Sequence, residues 1–77
     1  MKRYKNLDDV LMLIGNRLAD LRVKSGYNSI REFAADYKLP LIQYWRIERG
    51  KANLTIKSLM KLLKIHAVSL QKFFSNA

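Results

Sequence analysis

Apolar residues recur at Leu7, Val10, Leu11, Ile14, Leu18 and Leu21, in steps of three and four that place them on one side of a helix. Asn6 ahead of the run predicts an N-cap and Gly26 after it a stop, so a long first helix is expected between them. Ser29-Ile30-Arg31-Glu32 has the capping-box form, in which Ser29 accepts from the Glu32 amide while the Glu32 carboxylate reaches back to Ser29. Phe33, Ala34 and Tyr37 follow as the buried side of a short second helix. Lys38-Leu39 reads as a turn, because Pro40 pushes its predecessor out of the helical region and is tolerated at the first position of a new helix. That third helix is expected to run to Arg49, with Gly50 ending it in a left-handed cap. A loop follows, and Thr55 caps a fourth helix with Ile56, Leu59, Met60 and Leu63 along one side and Lys57, Lys61 and Lys64 along another. Ser69 opens a last turn carrying Leu70, Phe73 and Phe74. With no alternating strand pattern and no internal repeat, the fold class is all-α, a bundle of five helices.

The chain has 77 residues, 49% of them hydrophobic and none of them Cys. That length supports one core, so residues 1–77 are expected to form a single domain with its core at about 7–74 and a basic arm at 1–6. Without Cys, neither a disulfide nor a thiolate metal site can help it, and stability must come from packing. The first apolar run is too short and wrongly flanked for a signal peptide or membrane span, which makes a cytoplasmic location the default. The net charge is +9, and it is unevenly placed: all six acidic residues lie at or before Glu48, leaving the last third with only positive charge. Such a chain attracts polyanions, and a nucleic acid, an anionic membrane surface, an acidic protein partner or simply a solvated lysine-rich surface all fit.

Residues 30–37 and 41–49, joined by a short turn, have the spacing of a helix-turn-helix, whose second helix enters a DNA major groove. The residues themselves resemble the lambda-repressor-like, or Xre and Cro, family. Ile14-Gly15-Asn16-Arg17-Leu18-Ala19-Asp20-Leu21-Arg22 looks like its first helix, and Phe33-Ala34 sits where that family has Leu-Ala. Tyr44-Trp45-Arg46-Ile47-Glu48-Arg49-Gly50-Lys51 resembles its "isxIErGk" stretch, and Leu59, Leu62, Val68, Ser69, Leu70 and Phe73 match the spacing of the closing helices. The resemblance covers about residues 14–74 and implies a five-helix lambda-repressor-like bundle that binds double-stranded DNA as a small transcriptional regulator. The role expected is that of a repressor acting as a homodimer on an inverted repeat, with half-sites about 34 Å apart.

On a helical wheel Tyr44, Ile47 and Glu48 share one side of the third helix, while Leu41, Ile42, Trp45, Arg46 and Arg49 share the other. The first side packs and the second faces out. A partly buried Glu48 needs a partner, and the family pattern suggests Arg22, whose planar guanidinium can make two hydrogen bonds to a carboxylate. The resemblance also implies base-facing roles for Leu41, Ile42 and Arg46, flanked by Gln43 and Trp45. Arg46 suits guanine O6 and N7, though a phosphate contact or a free surface arginine is an equal reading. Arg31, Arg49, Lys51, Asn53, Thr55 and Lys57 cluster around the expected phosphate track.

Several positions depart from the family pattern. Ile30 stands where a phosphate-binding Gln is common, Ala67 where Gly is usual, and the stretch Ser25–Ser29 is one residue longer than the common turn. Leu41 and Ile42 put aliphatic carbon where many relatives have polar base-readers, so direct readout would lean on thymine methyl groups, on DNA shape, or on Arg46 alone. Exposed beside Trp45, they also suit a protein-binding patch, which makes an antitoxin or adaptor with a toxin or other protein partner the rival reading; the plainer account tucks Leu41 into the core and covers part of Trp45 with first-helix or loop side chains. Met12, Leu13, Phe73 and Phe74 could close a dimer or simply enlarge the core. A membrane-surface role is poorly served by so many core positions. His66, the only histidine, lacks neighbouring metal ligands and reads as a packed side chain at a helix end. No cofactor motif or catalytic set can be assembled, so an enzyme is not expected.

Overall fold

In the computed structural model, which describes residues 6–75, five helices follow one another and no strand occurs among the described residues. They are α1 (Leu7–Lys24), α2 (Ile30–Asp36), α3 (Leu41–Glu48), α4 (Ile56–Ile65) and α5 (Leu70–Phe73). Apart from Asn6, the basic arm expected at residues 1–6 lies outside the described residues.

Four helices begin with a side-chain cap that satisfies an amide the helix itself leaves unpaired. Asn6 accepts from Asp9 N at 2.9 Å, Ser29 from Glu32 N at 3.2 Å, Thr55 from Ser58 N at 3.0 Å and Ser69 from Lys72 N at 3.1 Å. Only the Ser29 half of the capping box is made; Glu32 does not return the bond and is exposed. Helix α3 is the exception, starting from Pro40 with no side-chain cap bond. Pro40 is the extended residue before the helix (φ −62°, ψ 118°) and not its first residue, and the helix closes at Glu48 with Arg49 as its C-cap.

The first four helices all end alike. After each C-cap the next residue takes positive φ, at Gly26 (98°), Lys38 (54°), Gly50 (70°) and Ala67 (54°). In each, that residue and the one after it donate backward to the last helical turn, as in Gly50 N to Ile47 O (3.1 Å) with Lys51 N to Arg46 O (2.9 Å). This is the Schellman arrangement, and it satisfies carbonyls that would otherwise be orphaned. Two of the four turns therefore place a side chain in the left-handed region, where a Cβ is unfavourable.

Every helix contributes to the core: Ile14 and Leu18 from α1, Phe33 from α2, Tyr44 from α3, Leu59, Leu62 and Leu63 from α4, and Phe73 from α5. Four residues expected on buried sides are exposed. Leu7, in the first turn of α1, lines a groove with Met12 and the loop after α3 and is not covered by the described residues. Ile56 and Met60 face out because burial of Leu62 with Leu59 and Leu63 swings the covered arc of α4 away from them. Tyr37, the C-cap of α2, hides one side against Phe33 and Tyr27 and leaves the other to solvent. Phe73 is consumed by the core and packs edge-on against the half-buried Phe74, so it is not free for a dimer surface.

Long-range polar contacts tie these elements. Arg17 Nη1 donates to the Phe73 carbonyl, joining α1 to the last helix. Tyr27 OH donates to Asp36 Oδ2 at 2.7 Å, and that bond holds the phenol up at a pKa of about 12. His66, the C-cap of α4, stacks on Phe33 with the rings 5.5 Å apart and nearly parallel, and burial lowers its pKa against an opposing pull from Glu48.

The left-handed conformation of Ala67 gives a direct expectation. Ala67→Gly removes a steric cost of about 1–2 kcal/mol and adds unfolded-state entropy of about 0.5–1 kcal/mol. The net is a gain of roughly 0.5–1 kcal/mol, readable as a rise of a few degrees in Tm by calorimetry. An unchanged or lowered Tm would show that the turn carries no such strain.

Candidate nucleic-acid interface

Helix α3 is held from behind by α1 and α2, and the closest approach is backbone to backbone. A Cβ added at Gly15, in the middle of α1, would lie 2.5 Å from the Glu48 carbonyl oxygen and 2.6 Å from that of Ile47. Only glycine lets the two helices meet there. The sequence signal for it was present: a glycine inside an 18-residue helix gives up about 1 kcal/mol of helix propensity relative to alanine, and so needs a packing reason.

Two turns further along α1, Arg22 fixes the same end of α3. Its Nε donates to Glu48 Oε2 at 2.9 Å and its Nη2 to Oε1 at 3.1 Å, a two-pronged pair with both side chains buried. Its Nη1 donates to the Tyr27 carbonyl at 2.8 Å, in the segment leading into α2. The hydrogen bond to Glu48 raises the arginine pKa against the opposing effect of burial. Tyr44 lies alongside, its ring in the core and its hydroxyl buried in no hydrogen bond; burial first, then Glu48, pushes its pKa up. Ile47 completes the inward side, half-buried against the core.

With Tyr44, Ile47 and Glu48 turned inward, the opposite side of α3 is left to solvent. Ile42 is 68% exposed, the largest value among the exposed bulky hydrophobic side chains of the described residues, and Trp45 is 41% exposed. Gln43, Arg46 and Arg49 are also exposed, and Leu41 is half-buried. Two of these cations are already engaged. Arg46 Nη2 donates to the Lys51 carbonyl at 3.0 Å, and the Arg49 guanidinium lies 4.9 Å from the centre of the Trp45 ring, a cation–π placement.

Two shallow grooves flank this ridge. One runs between α3 and α1 and is lined in part by Asn16, Ala19, Ile30, Trp45, Arg49 and Lys51. The other separates α3 from the loop leading to α4 and gathers Gln43, Ala52, Asn53, Leu54, Thr55 and Ser58. Of the residues expected along a phosphate track, Arg49 and Lys51 thus share one flank and Asn53 and Thr55 the other. Arg31 and Lys57 are exposed but line neither groove. The Thr55 hydroxyl is committed to Ser58, whose amide and hydroxyl both lie 3.0 Å from it. Ile30 packs against the core while lining the first groove, so the family's polar contact at that position has no side-chain counterpart here. Asn16 and Ala19, which line the same groove, carried no signal of their own in the sequence. Among the described residues no three His, Cys, Asp or Glu side chains come together as a metal site, and no helix is long and apolar enough to cross a membrane.

Comparison with known proteins shows a similarity along most of the chain. The control protein C.MunI of a Mycoplasma species is 31% identical over 70 residues, spanning 91% of this chain and 95% of that protein. No protein-family model matches the chain, and no solved structure matches it.

Two substitutions test how α3 is held. Glu48→Ala leaves the Arg22 guanidinium buried without its counter-charge and should cost about 3–5 kcal/mol in urea unfolding. The double variant Arg22→Met with Glu48→Leu should regain much of that, since no charge is then stranded. A loss under about 1 kcal/mol for the single variant would mark the pair as a loose surface contact. Gly15→Ala should destabilise by about 1–3 kcal/mol despite the better helix propensity of alanine, because backbone carbonyls must move to admit the methyl group.

Proposed function

We propose, since the chain belongs to the lambda-repressor-like, or Xre and Cro, family of helix-turn-helix proteins, that it is a regulator of transcription and not an enzyme. It binds double-stranded DNA sequence-specifically, with α3 in the major groove. The observation that carries this reading is the division of α3 into two sides. Tyr44, Ile47 and Glu48 fix its orientation, and Ile42, Gln43, Trp45, Arg46 and Arg49 are presented outward together. In this reading Arg49 and Lys51, on one flank, and Asn53, on the other, meet the two phosphate backbones bounding the groove. The net charge of +9 supplies long-range attraction and makes binding depend on salt.

In this reading the protein acts in the cytoplasm as a repressor. A homodimer spans an inverted repeat whose half-sites lie about 34 Å apart, one turn of DNA. Arg46 contributes a base contact with the part of its guanidinium that Lys51 does not occupy. A rival is favoured by one observation: Ile42 and Trp45 form an exposed apolar pair on the same helix, as an antitoxin or adaptor holding a protein partner would have.

Mobility-shift titrations at low salt decide between them. A preference for one duplex over heparin supports the regulator, whereas no preference, together with a stoichiometric co-purifying protein, supports the rival. Arg46→Ala should relax the base preference at one position and cost about 1–3 kcal/mol, while Lys51→Ala should weaken all duplexes alike and flatten the salt dependence.

A further inference from the structure

Recognition helices of this motif address bases with their N-terminal residues, and in α3 those residues are Leu41, Ile42 and Gln43. Their chemistry is unusual for the task. Leu41 is half-buried and Ile42 stands clear of the protein, with two-thirds of its surface uncovered. Gln43 is exposed, and its side chain makes no hydrogen bond among the described residues. Further along, Arg46 is drawn back to the Lys51 carbonyl and Arg49 lies over Trp45. At the N-terminal end of α3 the groups left unengaged toward a groove are therefore an aliphatic side chain and a neutral amide.

Each has a distinct complement in the major groove. The C5-methyl of thymine is the one apolar feature of a base edge there, and a Gln amide matches the N6 and N7 of adenine in two-pronged fashion. We infer that the N-terminal half of α3 specifies A·T pairs, Ile42 by packing on a thymine methyl group and Gln43 by pairing with an adenine. This rests on the DNA-binding reading above and names which bases it selects.

The test uses the full chain and the duplex it prefers, selected from a random pool. Replacing each thymine in turn by uracil removes only the methyl group, and at the position read by Ile42 it should weaken binding about fourfold, the worth of one buried methyl group. Ile42→Ala, a change at an exposed position that circular dichroism should show to be folded, should weaken binding to the thymine duplex and abolish the discrimination against uracil. At the pair whose adenine Gln43 reads, guanine paired with 5-methylcytosine keeps the methyl group but removes the adenine amino donor, so the variant Gln43→Ala should lose its disadvantage there relative to the wild type.

Two outcomes would overturn the inference while leaving the DNA-binding reading intact. One is a sequence-selective wild type indifferent to uracil at every position. The other is an Ile42→Ala variant that discriminates as well as the wild type. A wild type that prefers no duplex at all would remove the DNA-binding reading itself, and this inference with it.

Discussion

Arg22 holds three segments of the chain with one guanidinium, and the position of α3 depends on it. Two of its donors close on Glu48 at the end of α3, and a third takes the Tyr27 carbonyl ahead of α2. Glu48 stands at a helix C-terminus, where the carbonyl ends of the helix disfavour a negative charge, and it is buried there as well. Withdrawing either ion from water costs several kcal/mol, so the arrangement is stable only because the geometry is two-pronged and the remaining donor is satisfied. Such a pair contributes less to net stability than to definition. It specifies which end of α3 meets α1 and how far α3 is rotated, and that rotation decides which side chains face outward.

The glycine at position 15 sets the distance at which this happens. Carbonyls of Ile47 and Glu48 press against the α1 backbone, so α3 is located by main-chain contact on one side and by the Tyr44 ring on the other. Gly50 then turns the chain away with a positive φ, and Met12 of α1 packs directly against it, its Sδ within 2.7 Å of where a Cβ would stand. The outward ridge of α3 is thus mounted on a rigid support, while the helix itself starts without a side-chain cap. Its first amides are left for solvent or a ligand, which the other four helices do not allow to the same degree.

Much of the candidate interface could be read from residue spacing. The outward placement of Ile42, Trp45, Arg46 and Arg49 follows from Tyr44, Ile47 and Glu48 recurring on the other side of a short helix. What spacing could not convey is the state of those side chains. Arg46 bends to a carbonyl five residues on, and Arg49 settles over an indole four residues back. The first contact depends on the path of the chain after Gly50, and the second on the rotamers that two neighbours four residues apart adopt. They leave the helix's aliphatic start more available than its cationic end, the reverse of what composition suggests.

The amino-acid sequence alone determined the local grammar. Asn6, Ser29, Thr55 and Ser69 begin helices because their side-chain oxygens meet free amides three residues on, and Gly26 and Gly50 end them because they accept positive φ. These are interactions within a turn or two, and the residue types that make them are few. Tertiary structure decided which part of each apolar stripe is covered, leaving Leu7, Ile56 and Met60 outside and taking Phe73 in. It also decided that Arg22 would find the Tyr27 carbonyl, that Arg17 would reach across 56 positions to Phe73, and that Gly15 would lie against α3. Helical periodicity fixes a direction around one axis and nothing about what stands there. That is settled only when the helices pack and each polar group must find a partner in the space that remains.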